Sequence, residues 1–133
     1  MNGFLYENFL DRSVYVILAN TYDEFFDELS TLFKRDITKV ERENLKLDFD
    51  EISSCKGQTV LTDSGHIIIW IIENHENKIL TLLHEIVHAS FFIFTDIDIK
   101  LNRETDEVFA RLIEDLFNKA CVALFPIVKK LFL

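Results

Sequence analysis

The sequence predicts an α+β fold: one domain over residues 1–133 in which a small sheet, a strand and then a hairpin, packs on helices. Three observations carry this reading. Runs of β-branched and apolar residues at 13–18, 58–61 and 66–72 have the length and composition of strands. Segments 22–34 and 102–120 instead repeat apolar residues every three to four positions, as amphipathic helices do. Finally, 133 residues with 49% hydrophobic content, one Pro and three Gly suffice for one core and leave no linker to divide it.

The first strand is Ser13-Val14-Tyr15-Val16-Ile17-Leu18, apolar enough to be buried. Asn20 or Thr21 then caps a helix over 22–34, with Asp23 and Glu24 favourably placed in its first turn and Phe25, Phe26, Leu29, Leu32 and Phe33 on one face. Residues 38–50 are charged and weakly patterned, and fit a short strand or a turn of helix equally. Gln58-Thr59-Val60-Leu61 and His66-Ile67-Ile68-Ile69-Trp70-Ile71-Ile72 flank a Gly-containing turn and form a hairpin. The unbroken isoleucine run suggests cover on both faces, or one face in a groove. The polar connector 73–77 supplies a cap for a helix over 78–95. After an acidic loop at 96–101, Asn102 caps a helix to about residue 120, with Val108, Phe109, Leu112, Ile113, Leu116 and Phe117 as its apolar stripe. Pro126 is expected to kink or restart the last helical stretch.

Charge and cysteine content narrow the function. A formal net charge of −9 repels phosphate backbones, so no nucleic-acid partner is expected. Cys55 and Cys121 form no C-x-x-C motif and no disulfide framework, and read as free thiols of a reducing compartment. The N-terminus lacks the basic and apolar regions of a signal peptide, and no unbroken apolar run approaches membrane-spanning length. The expectation is a soluble, cytoplasmic protein without a membrane partner.

His84-Glu85-Ile86-Val87-His88 has the form H-E-x-x-H inside the helix over 78–95. Residues four apart share a helix face, so both imidazoles can reach one ion, and zinc accepts such ligands while leaving a position open to water. Glu85 lies about 100° round the helix from His84, close enough to take a proton from an activated water without ligating. Thr81, His84, Glu85 and His88 form one polar stripe on an otherwise apolar helix. A catalytic zinc needs a third protein ligand. Glu107, in Glu107-Val108-Phe109-Ala110, is preferred, with Glu104 in reserve and Asp98 and Asp106 behind them. Ala110 would allow its helix to approach the metal-bearing helix, although both glutamates lie away from the apolar stripe. His66 and His75 read as surface or strand-end residues.

The motif helix followed by a second helix with E-x-x-A resembles the gluzincin branch of the zincin metallopeptidases. In detail it is similar to small metallopeptidase-like proteins of bacteriophages and prophages, over roughly residues 58–118 and more loosely over the first strand and helix. The resemblance implies a zincin-like fold, with Zn2+ held by His84, His88 and Glu107 and with Glu85 as general base. It also implies an apolar edge strand just before the motif helix, matched here by Ile67-Ile68-Ile69-Trp70-Ile71, and pairing of an extended peptide or protein substrate with the strand beside the metal. The sequence departs from the gluzincin pattern at Arg111, where an Asp often follows E-x-x-A. Two other function classes fit the same residues: a non-catalytic module with a structural or degenerate zinc site, closed by Asp98, Glu104 or His75, and a helical partner-binding protein using helix 22–34 and the apolar tail from Val122 to Leu133.

Overall fold

Nine elements are present in the computed structural model, which describes residues 2–7, 10 and 12–125. They are β1 (Gly3–Glu7), β2 (Ser13–Ala19), α1 (Tyr22–Phe33), α2 (Lys39–Asp48), α3 (Ile52–Cys55), β3 (Gly57–Leu61), β4 (Ile67–Ile72), α4 (Lys78–Asp96) and α5 (Asp106–Leu124). The expected kink at Pro126 and most of the apolar tail lie outside the described residues.

The four strands form one mixed sheet in the order β1-β2-β4-β3. β2 and β4 pair in parallel at its centre, with Val14 opposite Ile67 and Ile17 opposite Trp70, while β1 and β3 pair antiparallel on the two flanks. Both faces are covered, the first of the two arrangements the isoleucine run suggests. Ile67, Ile69 and Ile71 point into a core with Val14, Val16 and Leu18 that α4 and α5 close through Leu82, Ile86, Ala89, Ile93, Leu112 and Leu116. Ile68 and Trp70 point the other way, into a core with Phe25, Phe26, Leu29, Leu45 and Phe49. There the Trp70 ring stacks on Phe25 at 4.4 Å, and its indole N–H donates to the Ala19 carbonyl at 2.9 Å.

The predicted strand, helix, hairpin and two helices are all present, with informative differences. β1 was not expected: it is short, begins with Gly and lacks alternation, and it is held by β2 and by the Tyr6 hydroxyl donating to Asp115 at 2.6 Å. The ambiguous segment 38–50 is a helix. Thr38 and Glu41 form a reciprocal capping box that satisfies two backbone donors at its start. Thr21, not Asn20, caps α1 through its side chain. Asn77 makes no side-chain cap for α4, so the connector does not supply the expected one. Asn102 accepts the N–H groups of Glu104 and Thr105, but this caps a preceding turn, and α5 proper starts at Asp106 and extends to Leu124.

Two further corrections concern the motif region. The isoleucine strand β4 is interior, whereas the resemblance places it at an edge; the edge strand beside α4 is β3. By length and composition α4 is long and apolar enough to cross a bilayer, because His84, Glu85 and His88 interrupt its apolar sequence without making it polar overall. In the structure its Leu82, Ile86, Ala89 and Ile93 side lies against the sheet.

Candidate metal centre

α4 lies over β3 and β4, and α5 runs beside it over β1. With Leu82, Ile86, Ala89 and Ile93 committed to the sheet, helical geometry turns Thr81, His84, Glu85 and His88 toward the free side of β3. His84 and His88 are exposed, and their Nε2 atoms stand 3.2 Å apart with the rings at 74°. Two nitrogens at the roughly 2.0–2.1 Å typical of zinc, at a tetrahedral angle, would be separated by about 3.3 Å. The spacing therefore fits a shared zinc as well as it fits an N–H···N bond.

Glu85 is only 6% exposed. Its Oε1 accepts from the Thr59 hydroxyl on β3 at 3.0 Å, and its Oε2 lies 3.9 Å from His84 Nε2. Ligand-type atoms of His84, Glu85 and His88 all fall within 4.8 Å of one another, the one such grouping among the described residues. They open onto a groove of about 690 Å³, which Glu51, Cys55 and His75 also line. His75 Nε2 is 3.1 Å from the Thr81 hydroxyl, which brings the imidazole to the head of the polar stripe. Cys55 is exposed at the end of α3.

Glu107 is placed elsewhere. Its Oε1 accepts from Arg111 Nε at 3.2 Å, both side chains are 72% exposed, and they border a separate depression with Glu114 and Asp115. The cause is the packing of α5. Phe109 seats its ring between Phe91 and Phe94, at 4.8 and 5.1 Å, and so fixes α5 along the flank of α4 away from β3. Ala110, expected to face α4, is exposed. Glu104, Asp98 and Asp106 are not in the grouping with the histidines either. His66 lies against Tyr15 and Phe33 on the other side of the sheet, where burial foremost, and Arg35 after it, hold its pKa below the usual value.

β3 offers more than Thr59. Its antiparallel ladder with β4 includes Thr62 N–H to the His66 carbonyl and Ile72 N–H to the Lys56 carbonyl. Bonded pairs alternate in such a ladder, so Gln58 and Val60 bond inward while the backbone groups of Gly57, Thr59 and Leu61 point outward. Sequence reasoning missed Thr59, since nothing local in Gln58-Thr59-Val60 marks it as a partner of Glu85.

Comparison with known protein families, with curated proteins and with solved structures finds no match for this chain. The chain is therefore described by its own geometry: an α+β fold with a four-stranded mixed sheet, and a His84/Glu85/His88 group of metal-binding type on one helix.

Proposed function

We propose that this chain is a zincin-like, zinc-dependent peptidase, with His84 and His88 as metal ligands and Glu85 as general base. The observation that carries it is the 3.2 Å Nε2 pair with a buried, hydrogen-bonded carboxylate beside it. A bound zinc would supply Lewis acidity to a peptide carbonyl and to water. Glu85 would accept the proton of the attacking water and pass it to the departing amine. The outward backbone groups of Gly57, Thr59 and Leu61 suit an extended peptide lying against β3 as an added strand. The resemblance assigns the third ligand to Glu107, which reaches the histidines only if the first turn of α5 leaves Arg111 and rounds α4. His75 and Glu51 already stand in the groove. Two unpaired thiols support a reducing, cytoplasmic setting for the reaction.

A second reading is favoured by that groove. Cys55, His75 and Glu51 are donor types able to fill the remaining positions around a zinc, which would make the site structural. The test is a paired assay of wild type and Glu85→Gln on unfolded protein substrates, with zinc content measured in both. The peptidase reading expects equal zinc and a loss of turnover of about 10²- to 10⁴-fold in Glu85→Gln. Equal cleavage by both proteins refutes Glu85 as the base, and zinc without cleavage in either favours the structural site.

A further inference from the structure

Glu85 is near enough to the two histidines to serve either as a base or as a ligand. Its carboxylate lies within 4.8 Å of both imidazole donors, and a carboxylate is itself an ordinary zinc ligand. A Glu85 that coordinated the ion would occupy the position that water needs and would tie up the lone pair required for proton transfer. Something must hold it back.

Two observations identify the restraint. The Thr59 hydroxyl has one proton to give and stands 3.0 Å from both Glu85 Oε1 and the Glu85 backbone carbonyl, so it is shared between two acceptors of the same residue, the charged carboxylate being the stronger. Thr59 sits on a strand locked into the sheet by β4. The approach of β3 to α4 depends on Gly57, where a Cβ would overlap the Thr81 methyl and meet Glu85 Cγ at 3.4 Å. The carboxylate is thus tethered from outside its own helix, on the side facing the strand.

We propose that Thr59 is a positioning residue that holds the Glu85 carboxylate off the metal, so that Glu85 acts as a base and not as a ligand. This rests on the zinc reading of the site, but it makes a separate statement about coordination that can be read without any substrate.

The probe is Co2+ bound to the full chain, followed by its visible absorption and by competition with a chelator. Thr59→Val keeps the shape of the side chain and removes the hydroxyl. It should let Glu85 replace water on the ion, shifting the visible bands as the ligand set changes and tightening Co2+ by about tenfold, the scale of one hydrogen bond to a charged group. Thr59→Ser should restore the wild-type spectrum, and the double variant Thr59→Val/Glu85→Gln should return the affinity to the wild-type value. A Thr59→Val spectrum and affinity equal to wild type would overturn the proposal and reduce Thr59 to a packing residue. Wild-type Co2+ binding by His84→Ala would instead remove the metal centre itself, a failure of the zinc reading that the first result cannot mimic.

Discussion

Gly57 on β3 lies flush against Thr81 on α4: a Cβ at residue 57 would overlap the Thr81 methyl group and come within 3.0 Å of Ile71 Cδ1. Both neighbours belong to well-packed elements, so the added atom has to push strand and helix apart. Gly57→Ala should therefore cost about 1–3 kcal/mol, as overpacking does. Urea unfolding measures it, and an unchanged midpoint would show that α4 yields freely at this level.

Glu107 is paired with Arg111 on the far flank of α4. Glu107→Ala should accordingly change zinc affinity by less than about threefold, well short of the 10- to 100-fold typical even of outer-shell partners. His84→Ala should abolish binding. Competition titration of both variants gives the comparison. A loss of a hundredfold or more in Glu107→Ala would establish that the start of α5 moves to the metal.

The two thiols should differ sharply in the native protein. Cys55 is exposed, whereas Cys121 is buried and burial pushes its thiol up to about 11. An aromatic disulfide reagent at neutral pH should react rapidly with one thiol per chain and with the second only on unfolding. Two fast thiols would mean that the C-terminal half of α5 opens readily.

Acid should weaken the α2 cap. The Arg35 guanidinium, hydrogen-bonded to Glu41, and the Thr38 backbone N–H hold this carboxyl down at about 2. A carboxyl depressed in the folded state stabilises it above the ordinary carboxylate value, and that contribution is lost as pH falls from there toward 2. Glu41→Gln keeps an acceptor for the cap but cannot titrate, so its stability should decline less over that window. Denaturation curves at stepped pH compare the two, and parallel declines would remove Glu41 as a source of acid sensitivity.

Much of the architecture was legible because it is locally encoded. The period of Phe25, Phe26 and Leu29 specifies α1, and the Ile67–Ile72 run marks a buried strand. The capping box of α2 was equally present, in Thr38-Lys39-Val40-Glu41, but weak apolar patterning obscured it. The histidine pair was legible for the same local reason, since residues four apart on a helix must share a face. Strand order and the flank taken by α5 were not. Both depend on contacts between distant segments, such as Phe109 against Phe91 and Phe94, that no local pattern records. Thr59 belongs with them, because its chemistry exists only once β3 meets α4.

The contacts of the site and of the sheet behind it stand at very different distances along the chain. The histidine pair spans 4 residues, the Thr59–Glu85 bond 26, and the Trp70–Ala19 bond beside the central strand pair 51. Closing longer loops costs more entropy, and contacts of wide separation form later. Coiling of α4 alone creates a two-imidazole chelate, whereas the tether on Glu85 arrives only with the hairpin. On the zinc reading, an α4 formed without β3 would offer both imidazoles and a Glu85 carboxylate that no Thr59 restrains. On that reading, chains refolded with zinc and chains loaded with it after folding would differ in whether Thr59 is in place when the ion first meets Glu85.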